Sequence, residues 1–287
     1  MRTRGAVRSL ALSVLLGFLA CAAWPAPVLA QEVVQEVLYE LVLKDGTRVQ
    51  GYIEVDTPDR VILRTIGGAR LDVARADVVS LERTTGRIQD GRFMRADANP
   101  TRLFFGPTGR SIKKGEGYLG TYMGILPFVQ YGVTDRISIG GGTPIFFGAG
   151  SLPFWITPKV QVYTNPRVSS SVGVIHFFNI DDHNIGIAYS ATTFGNTDDA
   201  LTVGLGWGYS STDRNTDGAA LLMIGGERRL SPRTKMITEN YIWDGGGFVS
   251  GGFRFLGESL SADFGLMVPL NTDGFIAWPM VNFVWKF

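Results

Sequence analysis

Cysteine is nearly absent: Cys21 is the sole thiol in 287 residues, so no intramolecular disulfide forms and packing and strand pairing must hold the fold. Histidine is almost as scarce, with only His176 and His183. A hydrolase needs a nucleophile activated by a base within hydrogen-bond reach. Ser190 and Thr192 lie on the segment next to His176 but several residues lower, and a G-x-S-x-G motif is missing. Asp181-Asp182-His183 is a run of adjacent loop residues, not the spaced set that a metal centre draws together. Gly140-Gly141-Gly142 and Gly245-Gly246-Gly247 lack the strand–glycine–helix context of a phosphate loop. No metal and no cofactor are expected, and the chain does not read as an enzyme. Charge is sparse, at 18% charged residues and a net +1, without the clustered basic surface that nucleic-acid binding requires. After Gln31 no apolar run approaches the roughly 20 residues of a membrane helix, and helical periodicity is missing as well.

What the chain does contain begins with Arg2, Arg4 and Arg8, an apolar run from Leu10 to Ala23, and Val28-Leu29-Ala30 before Gln31. Basic start, short apolar core and small-residue end predict a secretory signal peptide over residues 1–30. Its removal takes away three positives and leaves the formal charge at −2. The remainder is rich in glycine (37) and in Phe (18), Tyr (9) and Trp (6). Apolar content without long apolar runs is what alternating strands produce. The last residues show it: Val281, Phe283, Trp285 and Phe287 make one face, Met280, Asn282, Val284 and Lys286 the other. A chain ending on Phe with aromatics two and four residues before it resembles the final strand of bacterial outer-membrane β-barrels. That resemblance implies outer-membrane lipid around the barrel and an assembly machinery that reads Phe283, Trp285 and Phe287 as an insertion signal.

Residues 31–85 read as a compact all-β unit. Asp45-Gly46, Thr57-Pro58-Asp59 and Gly67-Gly68 separate short β-branched and aliphatic runs, and Val78 to Glu82 closes the set. Five short strands in this span predict a small SH3-like or Sm-like barrel, and the run from Leu43 to Glu82 is similar to modules at the N-termini of bacterial envelope proteins. Its charges are mixed in sign, which suits a solvated surface or a dock for a periplasmic protein or the cell wall. Residues 86–116 form a basic linker with Arg87, Arg92, Arg95, Arg102, Arg110, Lys113 and Lys114. Its apolar knot Leu103-Phe104-Phe105 has no place in a disordered linker. It is expected to pack at the periplasmic mouth of the following domain or to enter its lumen. The stretch from Asn99 to Tyr118 resembles one that precedes the barrel in uncharacterised bacterial outer-membrane proteins, which carry no catalytic assignment.

Residues 117–287 alternate strand-like segments with turn signals, giving about twelve strands of an antiparallel transmembrane barrel. The even count puts both chain ends on the periplasmic side, with tight turns at Thr134–Arg136, Thr164–Pro166, Asn196–Asp198, Ser231–Arg233 and Gly257-Glu258. Alternation turns Leu201, Val203, Leu205, Trp207 and Tyr209 outward, and likewise Ile185, Ile187 and Tyr189, with Gly186, Ala188, Ser190 and Thr192 inward. Aromatics near the strand ends predict two girdles: Trp155, Trp207, Tyr209 and Trp243 at the outer level, Tyr131, Tyr163, Trp285 and Phe287 at the periplasmic level. The polar residues placed inward are Lys159, Gln161, Glu227, Lys235, Glu239, Arg254, Asp263, Asn282 and Lys286. Both signs occur, so they either brace the barrel as ion pairs or line a pathway for small solutes. The expected function is that of a non-enzymatic barrel, a narrow solute channel or a structural envelope component. A binding or anchoring protein that holds a periplasmic partner or the cell wall is the alternative. An outer-membrane lipid hydrolase built on His176 is the third.

Overall fold

The computed structural model describes residues 37–287 except 85, 90, 146–152, 181–182, 212–215 and 272–275. The predicted signal sequence lies outside the described residues. Among those residues the one helical element is a short 3-10 turn at Arg75–Asp77, and the rest of the regular structure is β.

The N-terminal unit has five strands: β1 (Leu38–Leu43), β2 (Arg48–Asp56), β3 (Arg60–Thr65), β4 (Arg70–Ala74) and β5 (Val78–Arg83). The predicted Asp45-Gly46 hairpin forms. Gly46 takes φ 83°, where a side chain is disfavoured, and the Asp45 carboxylate accepts from the Thr47 amide at 2.8 Å. Leu41, Val61 and Leu63 are fully buried at its centre. The strands form one antiparallel sheet ordered β4-β3-β2-β1-β5, and β4 and β5 do not pair with each other. The sheet is open, which falls short of the closed small barrel that the strand pattern predicts. The physical reason is the connection: one 3-10 turn carries the chain from β4 to β5 and delivers β5 to the free edge of β1. A hairpin of β6 (Arg87–Gln89) and β7 (Arg92–Met94) follows, in a region whose sequence shows no strand pattern.

The second unit is a closed antiparallel barrel of twelve strands. Its elements are β8 (Gly117–Tyr122), β9 (Leu126–Gly132), β10 (Ile137–Gly142), β11 (Phe154–Ile156), β12 (Lys159–Thr164), β13 (Val168–Ile180) and β14 (His183–Gly195), continued by β15 (Ala200–Ser211), β16 (Thr216–Ser231), β17 (Thr234–Trp243), β18 (Gly246–Leu256), β19 (Leu260–Leu270) and β20 (Trp278–Lys286). β11 and β12 are two halves of one barrel strand, since both pair with β10 on one side and β13 on the other. The break falls at Thr157-Pro158, where proline supplies no N–H to the ladder. β20 closes the ring on β8, with Trp285 opposite Leu119.

The outer wall is apolar. Leu205 and Leu266 are more than half exposed, at 52% and 54%, and Phe253, Phe255, Phe264, Phe283 and Trp285 share that surface. Arg254, between two of these phenylalanines, is 0% exposed. The expected faces of β15 hold, with Leu201, Leu205 and Trp207 outside and Thr202 buried inside. Those of β14 are reversed. Ala191 and Thr193 are buried inside, and Ile187 and Tyr189 line internal cavities, while Ala188 and Phe194 are exposed. Reading faces by hydrophobicity assumes a polar interior. Here the interior presents Phe105 and Pro107 of the linker, and apolar side chains of β14 turn in to meet them.

An apolar wall of this kind responds to its surroundings. Leu205→Arg, at the middle of β15, is expected to cost roughly 2–4 kcal/mol of stability for a barrel folded in bilayers, where a water-facing exchange stays within about 0.5 kcal/mol. Urea titration of the protein folded into lipid vesicles measures it.

Candidate functional site: a lumen filled by the linker

Residues 95–114 cross the barrel interior as a strap without regular secondary structure. Irregular backbone away from water must find partners for its N–H and C=O groups, and the barrel wall supplies them. Three consecutive strap amides, from Phe104, Phe105 and Gly106, donate to the Glu239 carboxylate at 2.7–3.0 Å, and the Tyr241 hydroxyl donates to it at 2.6 Å. Arg254 donates to the carbonyls of Asn99 (2.7 Å) and Leu103 (2.6 Å), and Asn282 to that of Phe104 (3.2 Å). Lys159 Nζ donates to the carbonyls of Thr101, Thr108 and Arg110, Gln161 to that of Gly109, and Ser171 to that of Thr108. Leu103 and Phe104, the centre of the apolar knot, are fully buried with Ile237 and Met280.

Charge fixes the strap as well. Arg254 makes a two-pronged pair with Asp263 on the neighbouring strand, at 2.6 and 2.9 Å, and reaches Asp97 of the strap at 3.2 Å. Asp97 also pairs with Lys235 at 2.7 Å, Lys235 with Glu227 at 2.5 Å, and Glu227 with Arg110 of the strap. Signs alternate along the whole chain, and each member except Arg110 is buried.

The strap's entrance is tied to the N-terminal sheet. Arg95 is buried between Glu40 of β1 and Glu258 of the β18–β19 turn, and Arg48 of β2 also pairs with Glu258, at 2.9 Å. The sheet therefore sits at the barrel end that carries the Gly257-Glu258 turn and the chain terminus. Burial, reinforced by a hydrogen bond with Glu258, holds the Glu40 carboxyl above the ordinary carboxylate range.

Eight of the nine predicted inward residues, Lys159, Gln161, Glu227, Lys235, Glu239, Arg254, Asp263 and Asn282, are buried in the interior against the strap. Lys286 is not among them; it lies at the rim, pairing with Glu116 at 2.8 Å. Of the predicted girdle, Tyr131, Tyr163 and Trp207 are exposed on the outer surface, with Trp285 and Phe287 beside the β18–β19 turn. Tyr209 bonds His176 Nδ1 through its hydroxyl at 2.7 Å. Trp155 and Trp243 do not belong to that girdle. Trp155 is 8% exposed and lines an internal cavity, and half-buried Trp243 shares the inward parity of Lys235 and Glu239, its ring 5.1 Å from Phe248. Position along a strand sets the level of a side chain, but parity sets its face, and Trp155 has the parity of Lys159. Thr192, on the strand next to His176, bonds Ser170. Asp97, Arg102, Tyr118 and Tyr189 escape the sequence reading. Asp97 was the one signal available, the single acid between Arg95 and Lys114.

A cavity of about 210 Å³ remains between the strap and the wall made by β8 to β14. It runs from Tyr118 and Lys159 to Tyr122, Leu126 and Trp155, at the end away from the N-terminal sheet. No family model and no curated protein matches this chain. Among solved structures it is similar to the KdgM porin, also recorded in complex with disordered oligogalacturonate, at 10% identity and a TM-score of 0.45 over 60% of this chain and 98% of that one. It is also similar to OmpTdeltaL8, a loop L8 deletion mutant of OmpT, an outer membrane protein of Vibrio cholerae, at 11% identity and a TM-score of 0.37 over 88% and 97%.

Two outcomes follow from the charges. Arg254→Ala leaves Asp97 and Asp263 buried without their shared cation and is expected to cost roughly 3–5 kcal/mol in detergent unfolding, much of it recovered when Asp263→Asn is added. A carboxyl held above its ordinary value keeps its proton more tightly in the docked sheet than in the free one. Docking through Glu40 is therefore firmest below the ordinary carboxylate value and weakens as pH rises through the raised one. Limited proteolysis of the N-terminal sheet is expected to speed up from about pH 4 to about pH 8, and Glu40→Gln to flatten that profile.

Proposed function

We propose that this protein is a non-enzymatic outer-membrane β-barrel that stands closed, its lumen filled by its own strap and its small N-terminal sheet on the periplasmic side. One observation carries this reading: residues 95–114 bond their backbone, and pair Asp97 and Arg110, against the inner wall of a twelve-stranded barrel, which is wider than the eight strands that side chains alone fill. The apolar outer wall supports a lipid setting, and the outward Phe283, Trp285 and Phe287 suit contact with lipid and recognition by the barrel assembly machinery. Of the two roles a barrel of this kind can fill, the packed strap favours a closed envelope component over an open solute channel. Passage of solutes requires the strap to leave its place.

The N-terminal sheet supports the second reading, a binding or anchoring role. Its unpaired edges β4 and β5 leave backbone groups for a periplasmic protein or the cell wall.

Planar-bilayer recording separates closed from open. The full-length barrel is expected to be silent, and a variant with residues 98–110 replaced by a short Gly-Ser link to show steady conductance steps. Steady steps from the unaltered protein overturn the closed reading. Lack of heat-modifiable gel migration in outer-membrane fractions overturns the architecture.

A further inference from the structure

We propose that the cavity between the strap and the β8–β14 wall is a binding site for a small aromatic carboxylate. This goes beyond the closed-barrel reading, because binding there does not depend on conductance. The argument starts from charge. Inside the barrel Arg254, Lys235 and Arg110 each face a carboxylate, as do Arg229 and Arg95 at the rim. Among the described interior cations two have none, Arg102 and Lys159, and both line this one cavity. Lys159 spends its three N–H groups on strap carbonyls, so it contributes field rather than a free donor.

Arg102 differs. It is 7% exposed, and its guanidinium donates only to neutral hydroxyls, twice to Tyr118 (2.7 and 3.2 Å) and once to Tyr122. Of the five N–H groups of an arginine, two remain for another acceptor. A buried cation without an anion is costly, and a carboxylate delivered into the cavity removes that cost with a charge-assisted hydrogen bond.

Shape and lining select the rest of the ligand. Arg102 already lies over the rings of Tyr118, Tyr122 and Phe128, at 4.8, 5.3 and 4.2 Å, and Trp155 packs beside Phe177 across the space. Aromatic walls favour a flat ring in offset or edge contact. An apolar cavity of about 150 Å³ holds benzene, so about 210 Å³ suits one ring with a short acidic arm.

Calorimetric titration of the detergent-folded full chain tests this with four probes: cinnamate, its neutral amide, octanoate and acetate. Cinnamate is expected to bind saturably at one site, with the amide and octanoate each roughly tenfold weaker or more and acetate silent. Arg102→Met is expected to weaken cinnamate by roughly tenfold and leave the amide unchanged. Ile175→Trp, which fills the cavity from the wall without touching Arg102, is expected to abolish both, and covers the case in which the arginine variant does not fold. Equal binding of acid and amide shows an apolar hole only. Tighter octanoate shows an aliphatic, lipid-like site. Either result overturns the proposal, as does the lack of saturable binding by the unaltered protein or binding that survives Ile175→Trp.

Discussion

The Arg254 guanidinium, clamped between Asp263 of the next strand and Asp97 of the strap, is the interaction on which the rest of the interior depends. Among the described residues it is the largest fully buried side chain, and it ties wall to wall and wall to strap at once. Buried ion pairs add little net stability against well-packed apolar residues, because desolvation offsets attraction. Their effect is on placement. With signs alternating from Asp263 through Arg254, Asp97, Lys235 and Glu227 to Arg110, a shift of the strap in either direction sets a buried charge against nothing or against its like. The strap therefore has one register in the lumen, and its irregular backbone can be matched donor for acceptor only in that register.

Glycine makes that register sterically possible. A side chain at Gly109 would bring a Cβ to 1.9 Å from the Ser169 carbonyl, and one at Gly225 would meet Leu103 at 2.2 Å. Gly106 is as tightly held, against Met223 and Tyr241. Gly106 and Gly109 on the strap and Gly225 on the wall let the two come within backbone contact. Barrel width, strap and glycine placement are one solution to filling twelve strands.

Much of this was legible, for a simple reason. Alternation is enforced wherever one face meets an apolar surround, so the strands from β15 to β20 and the inward charges they carry follow from period two alone. The register of Phe253-Arg254-Phe255 leaves no other place for the arginine. What escaped was whatever depends on the content of the lumen. The faces of β14, the inward turn of Trp155 and the pairing of Lys159 with strap carbonyls all need the strap's position, which is set by contacts distant in sequence. Asp97 to Lys235 spans 138 residues, and no local pattern encodes that pairing. The open N-terminal sheet is a similar case, decided by which edge the 3-10 turn delivers β5 to.

The two sides of the lumen are built on different physics. Against β16 to β20 the strap is held by ion pairs whose disruption leaves buried charges, a cost of roughly 3–5 kcal/mol each. Against β8 to β14 it is held by Arg102 among aromatic rings, contacts worth roughly 0.5–2 kcal/mol apiece, and by hydrogen bonds from Lys159, Gln161 and Ser171, and the cavity of about 210 Å³ lies on that side. A strap fixed this unevenly has a preferred direction of yielding: rings around a cavity can repack at modest cost, whereas the charge chain has to break as a unit. The wall beside Tyr122, Phe128 and Trp155 is therefore the side on which the strap yields at lower cost. An occupant of the cavity that neutralises Arg102 would stiffen that same wall.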